Sequence, residues 1–200
     1  LLFFLFIGKA YQIKMYDIPE GKRATKGKSI MNFISLESDE RVTSILPIDK
    51  EVKKTVEHLM LVTAQGVAKK VSAESFKDVR RSGLIAISLD KGDELQSVLA
   101  IEKGDDVMLA TSLGQSIRFK ESDVREMGRT AAGVRAMKLG KGDTIVGVDK
   151  IPKGDATRAF LTLSANGLGK KTLVKEYKTQ KRSGSGIKTA KVTPKTGKLI

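Results

Sequence analysis

The chain repeats one pattern of glycines and β-forming residues four times within its 200 residues. In each copy an apolar segment leads to a glycine, and a second segment carrying basic residues follows. A second glycine comes 17 or 19 residues after the first, and the whole pattern recurs at intervals near 50 residues. The glycine pairs are Gly8 and Gly27, Gly66 and Gly83, Gly114 and Gly133, and Gly167 and Gly186. A period of this length predicts similar units that pack against their neighbours.

Each unit has the composition of several short β-strands. Runs of four to eight β-forming residues are separated by glycine and aspartate turns, and a later apolar strand is predicted at 84–89, 134–139 and 187–192. Four strands in about 50 residues is the size of a propeller blade. We therefore predict an all-β, propeller-like fold of repeated four-stranded blades, with about four blades in this chain. The units span residues 1–52, 59–105, 107–156 and 159–200.

Charge and residue types limit the function classes. The net charge is +14, from 37 basic and 23 acidic residues, and this favours nucleic acid over an anionic membrane as partner. Because cysteine is absent and His58 is the single histidine, a thiol nucleophile and a His or Cys metal cluster are excluded. The apolar residues 1–7 are too few to cross a bilayer. We predict no catalytic residue, metal or cofactor in this chain, no membrane partner, and a cytoplasmic protein.

Basic side chains recur at equivalent positions of the units and are the candidate DNA contacts. One group lies in the loop around the second glycine, where small neighbours let the backbone approach a phosphate. The other lies on the strand after the first glycine; its alternative interpretation is the solvated face of an outer strand. The loop candidates are Lys22, Arg23, Lys26, Lys28, Arg80, Arg81, Arg129, Arg135, Lys181, Arg182 and Lys188. The strand candidates are Lys69, Lys70, Arg118, Lys120, Lys170 and Lys171.

Several longer stretches resemble a known family, the C-terminal domain of the DNA gyrase A subunit. They are residues 127–135 (MGRTAAGVR), 105–109 (DDVML), 117–120 (IRFK), 16–20 (YDIPE) and 26–30 (KGKSI). The resemblance covers essentially the whole chain. It implies a β-pinwheel whose blades exchange strands and whose basic rim wraps double-stranded DNA, so that ATP-driven strand passage introduces negative supercoils.

The same resemblance implies partners outside this chain. These are the gyrase B subunit, which binds ATP, and the N-terminal part of the A subunit, which cleaves DNA. They assemble as an A2B2 heterotetramer, with ATP and magnesium bound elsewhere in the holoenzyme. A type II topoisomerase therefore contains the chain, and the chain by itself is not an enzyme.

The sequence departs from the family pattern in two ways. Family members usually have about six blades, whereas four repeats are found here. The family's signature box, Gln-basic-Arg-Gly-Gly-basic-Gly, normally lies in the first blade, whereas its nearest match here lies in the fourth repeat. The nearest match is residues 180–186, where Ser183 and Ser185 replace a glycine and a basic residue. Two alternatives stay open: the related C-terminal domain of topoisomerase IV, which selects DNA geometry, and a propeller-like scaffold that binds an acidic protein.

Overall fold

A computed structural model describes residues 1–48, 56–80 and 82–200, and these are almost wholly β-structure. Within them there are fourteen strands and five short 3₁₀ helices. The strands are β1 (Leu2–Leu5), β2 (Lys9–Gln12), β3 (Val42–Leu46), β4 (His58–Thr63), β5 (Val67–Ser72), β6 (Leu84–Ile85), β7 (Leu95–Ile101), β8 (Asp106–Thr111), β9 (Gln115–Lys120), β10 (Val134–Arg135), β11 (Ile145–Ile151), β12 (Ala159–Leu163), β13 (Gly169–Leu173) and β14 (Ile187–Lys188). The helices are η1 (Met15–Asp17), η2 (Ile30–Asn32), η3 (Ala73–Phe76), η4 (Glu121–Asp123) and η5 (Val174–Glu176).

The strands form one antiparallel sheet for each repeat. Three sheets have four strands, in the orders β3-β1-β2-β6, β7-β4-β5-β10 and β11-β8-β9-β14. In the fourth, the described residues form the pair β12-β13, and a bridge joins Ser164 to Leu199. The last strand of each four-stranded sheet comes from the following repeat, as where Leu84 pairs with Ala10. The all-β fold of four-stranded blades is confirmed, and its blades exchange strands as in a β-pinwheel.

Contacts between blades show which edge of each sheet faces the centre. The amide of Val98 on β7 donates to Ser44 Oγ on β3 at 2.9 Å. The side-chain amide of Gln96 on β7 donates to the Val146 carbonyl on β11 at 3.4 Å. Strands β3, β7 and β11 therefore lie side by side at the middle of the disc. The exchanged strands β6, β10 and β14 occupy the opposite edge of their sheets, and we call this outer edge the rim.

Packing between blades supplies the hydrophobic core. Phe4 of the first blade and Phe76 of the second meet edge to face, with ring centroids 5.6 Å apart. A second cluster lies between the second and third blades and includes Met60, Phe119 and Met137, all almost fully buried. Each blade thus buries its faces against its neighbours, as a repeat protein requires.

The exchanged strands are shorter than predicted. Only two residues pair at each exchange, because the chain then bends under the turn glycine of the preceding repeat. The amides of Ala86 and Ile87 both donate to the Gly8 carbonyl, at 2.8 and 3.3 Å. Thr189 and Ala190 make the same pair of bonds to Gly114, at 2.9 and 3.2 Å. The predicted strands 84–89, 134–139 and 187–192 are therefore wrong after their first two residues.

The strand exchange also explains the paired glycines. Gly114 has a φ of 85°, and a Cβ there would lie 2.3 Å from the Ala190 carbonyl oxygen. Gly186 has a φ of 74°, and a Cβ there would lie 2.1 Å from the Ser116 carbonyl oxygen. Both positions need glycine because two backbones from successive repeats touch. Packing between blades thus requires the second glycine in the last three repeats (Gly83, Gly133 and Gly186), whereas a Cβ at Gly27 would meet nothing within 4 Å.

Candidate nucleic-acid interface

The predicted DNA-contacting cations differ widely in exposure. Of the seventeen, Arg81 lies outside the described residues. Arg129 and Arg182 are partly buried, Lys70 and Arg118 more so, and Lys69 is completely buried. The exposed candidates are Lys22, Arg23, Lys26, Lys28, Arg80, Lys120, Arg135, Lys170, Lys171, Lys181 and Lys188.

Six candidates lie on the rim or on the loops that lead to it. Each loop runs from the 3₁₀ helix of one repeat to the exchanged strand that joins the preceding sheet. Since the exchanged strands form the outer edge, the loops bring their cations to the periphery at equivalent points of successive blades. We call this set the rim cations: Arg80, Arg129, Arg135, Lys181, Arg182 and Lys188.

The last of these loops is anchored to the third blade. Arg182 donates from Nε to the Asp123 carbonyl at 2.8 Å and from a terminal nitrogen to the Arg135 carbonyl at 3.0 Å. Lys181 Nζ lies 3.0 Å from the Asp123 carboxylate. Ser183 has a φ of 70° at the place where the family's signature box has glycine. The box-like segment is therefore a structured link between blades, with its lysine exposed.

Two exposed lysines that closely follow rim cations in the chain were not predicted. Lys138 and Lys191 follow Arg135 and Lys188 by three residues in the chain. Both stand five residues after the second glycine of their repeat, and this shared position is the signal that could have identified them.

Two of the strand candidates, Lys70 and Arg118, are held in ion pairs, contrary to the prediction from the sequence. Lys70 Nζ lies 2.6 Å from Glu121 Oε2, with these side chains only 12% and 9% exposed. Arg118 is held by Asp106 at 2.8 Å and also donates to the carbonyls of Val174 and Tyr177, both at 3.2 Å. Each cation is thus neutralised by a carboxylate, and each joins its strand to the next repeat. Neither presents the free charge to solvent that was predicted for this strand face.

Lys69 was also predicted to contact DNA, and its burial excludes that contact. Its ammonium lies within hydrogen-bond distance of four backbone carbonyls of the protein, so that one of its three N–H groups is shared between two of them. Burial and, to a smaller extent, the nearby positive charge of Arg129 lower the pKa of Lys69 from 10.5 to about 8. By contrast, Lys170 and Lys171 stand at the equivalent positions of the fourth repeat and are exposed.

The acidic side chains do not form a metal centre in the part of the chain that the structure describes. Within 1–48, 56–80 and 82–200, no three His, Cys, Asp or Glu side chains come close enough together to hold a metal ion. No helix in these ranges has both the length and the apolar character needed to span a membrane.

The sequence matches a family model described as the DNA gyrase C-terminal domain, beta-propeller, over residues 7–49, 57–102, 105–152 and 159–200. The chain belongs to this family. The DNA gyrase A subunit of Escherichia coli is 42% identical over 193 residues, which cover 96% of this chain and 22% of that protein. This gyrase-type domain thus spans about a fifth of the length of the curated relatives it matches.

Solved structures of two related domains have the same fold. A C-terminal domain of DNA topoisomerase IV matches with a TM-score of 0.87 at 26% identity, covering 100% of this chain and 61% of that one. A DNA gyrase A C-terminal domain matches with a TM-score of 0.82 at 28% identity, covering 100% of this chain and 63% of that one. The resemblance inferred from sequence motifs is confirmed at the level of the family and its fold.

Proposed function

We propose that this chain binds and wraps double-stranded DNA as a module of a bacterial type II topoisomerase of the gyrase A kind. The observation that carries the proposal is the recurrence of the rim cations at equivalent points on successive blades. A duplex that contacts them in turn must curve around the disc. Because Lys and Arg contact phosphates rather than base edges, the binding is largely independent of sequence.

Chemistry on the DNA belongs to other parts of the holoenzyme in this proposal. The N-terminal part of the A subunit cleaves the duplex, and the B subunit binds ATP with magnesium in an A2B2 assembly. The wrap gives the DNA crossing a positive hand, so that strand passage introduces negative supercoils. The chain itself supplies curvature and needs no cofactor or catalytic side chain, and it acts in the cytoplasm without a membrane partner.

A second candidate function is that of a topoisomerase IV C-terminal domain. The structural match to such a domain and the replacement of a box glycine by Ser183 favour it. The 42% identity to a gyrase protein favours supercoiling instead. Topological assays on the full-length protein with its partner separate the two, because decatenation and relaxation without supercoiling would identify the topoisomerase IV type.

DNA binding by the chain is the first test. We expect a 100-bp duplex to bind at low salt, with affinity falling about a thousandfold between 50 and 200 mM salt if roughly six phosphates are neutralised. Joint replacement of Arg135 and Lys188 by alanine should weaken binding for all sequences alike. Replacement of the exposed Lys91 and Lys103, which lie outside the rim cations, is the matched control for loss of two charges.

Wrapping is tested separately from binding. Ligating a nicked circular DNA in the presence of the chain should trap a change in linking number of positive sign. Binding without such a change would contradict wrapping. No affinity for duplex at low salt would contradict the whole proposal and favour a scaffold that binds an acidic protein.

A further inference from the structure

The ammonium of Lys69 is enclosed by backbone carbonyls. Its Nζ donates to Ala86 at 2.7 Å, to Gly128 at 3.3 Å, to Arg129 at 2.5 Å and to Ala131 at 2.9 Å. Ala86 follows the exchanged strand β6, whereas the other three carbonyls belong to the loop before the exchanged strand β10. A single side chain from β5 therefore connects segments of two successive repeats.

Ser88 completes the arrangement around this loop. Its hydroxyl donates to the Thr130 carbonyl at 2.7 Å, the one carbonyl of residues 128–131 that does not accept from Lys69. Four consecutive carbonyls of the loop thus accept hydrogen bonds from Lys69 or Ser88. Carbonyl dipoles turned toward one buried region repel one another, and a buried carbonyl without a donor is costly. The positive charge of Lys69 compensates both effects.

The loop shaped in this way carries a rim cation. Arg129 is partly exposed, and the loop leads directly into β10, where Arg135 is exposed. The position that Lys69 occupies, third after the first glycine, holds the buried residues Tyr11 and Ile117 in the first and third repeats. A buried ammonium is therefore a special feature of this blade and not a requirement of the repeat.

We propose that Lys69 is a positioning residue, whose ammonium fixes the backbone of residues 128–131 and so holds the Arg129 guanidinium at the rim. The effect on the loop is inferred from the contacts of Lys69 alone. The effect on DNA rests in addition on the proposed function.

Amide hydrogen exchange of the chain tests the positioning without DNA. Lys69→Met keeps the length of the side chain but removes the donor. We expect exchange in residues 127–134 to become at least tenfold faster, with β8 and β9 unchanged. Ser88→Ala, at an exposed position, removes one bond of the same loop and should give a smaller increase confined to it. Lys103→Met, at an exposed lysine, controls for loss of one positive charge and should leave the loop as it is.

The exchange results decide the proposal even if Lys69→Met does not fold. In that case Lys69→Gln carries the test, because it replaces the ammonium with a neutral amide that still offers N–H donors to the buried carbonyls. Unchanged exchange in residues 127–134 in the folded Lys69 variant would overturn the proposal, whatever Ser88→Ala shows.

A double-mutant cycle tests the link to DNA. We expect Lys69→Met to weaken binding to duplex several-fold in the wild type and to add nothing in an Arg129→Ala background. An equal loss in both backgrounds would overturn the link through Arg129. If Arg129→Ala alone leaves affinity unchanged, the DNA role of this rim cation fails, while the exchange data still decide whether Lys69 positions the loop.

Discussion

The ammonium of Lys70 on β5 and the carboxylate of Glu121 in η4 form an ion pair of 2.6 Å between two successive blades. Glu121 also accepts a bond from the Gly104 amide at 3.3 Å through its other oxygen. One repeat further along the chain, Arg118 makes the equivalent link with its bonds to Val174 and Tyr177. Cations predicted to bind DNA thus connect the blades.

Lys70→Met should strongly destabilise the fold. It leaves the Glu121 carboxylate buried without its partner, and removing one member of a buried pair costs about 3 to 5 kcal/mol. Urea unfolding followed by circular dichroism measures the change. Lys77→Met is the control, because Lys77 pairs with Glu74 on the surface and such pairs contribute about 0.5 kcal/mol. Equal losses in the two variants would contradict the structural role of Lys70.

Arg135 and Arg118 should differ in what their loss affects. Arg135→Met removes an exposed rim cation, and we expect weaker DNA binding with a salt slope reduced by about one and little change in stability. Arg118→Met removes the 2.8 Å ion pair of the buried Asp106 and leaves Lys120 at 4.0 Å as its nearest cation, so the free energy of unfolding should fall. Fluorescence anisotropy over a salt series and urea unfolding of both variants check this contrast. The reverse outcome would place the DNA on the strand face and not on the rim.

Gly114→Ala should disrupt the exchange between the third and fourth repeats. The new Cβ would lie 2.3 Å from the Ala190 carbonyl oxygen at a backbone φ that only glycine adopts easily. We expect a loss of about 2 kcal/mol or more, since overpacking and unfavourable backbone geometry both contribute. Gly142→Ala is the matched control, because its φ is also positive, at 73°, and open space surrounds the added methyl group. A drop in melting temperature of similar size for both would exclude the exchange contact as the cause.

Lys69 should make stability depend on pH in the alkaline range. Its pKa is about 8 in the folded chain against 10.5 as the ordinary value, so the unfolded chain binds more protons between these limits. The free energy of unfolding of the wild type should therefore rise relative to that of Lys69→Met as the pH increases from 8 to 10.5. The full difference is about 3 kcal/mol at about 1.36 kcal/mol for each pKa unit. A difference that stays constant over this range would show that Lys69 titrates normally.

The sequence predicts the blades well because their signals are local. Glycine spacing and short β-forming runs identify each repeat, and loop composition places Arg135 and Lys188 on the surface. It does not distinguish the pair Lys69 and Lys70 from the pair Lys170 and Lys171, which occupy equivalent positions. The two pairs differ in burial because β10 and η4 of the next repeat cover the first pair, while β13 is an edge strand in the part of the chain that the structure describes. Burial of a lysine here depends on a neighbour about 50 residues away in the chain.

The exchanged strands have a consequence for synthesis on the ribosome. Hydrogen bonding of the first sheet is incomplete until Leu84 and Ile85 have been made, although its other three strands end at Leu46. Hydrogen bonding of the second sheet is likewise incomplete until Val134 and Arg135 have been made. A nascent chain therefore completes each blade one repeat late, and at every stage its newest blade has an open edge. We therefore expect this disc to fold in the order of translation, with the most recently made sheet exposed to mispairing.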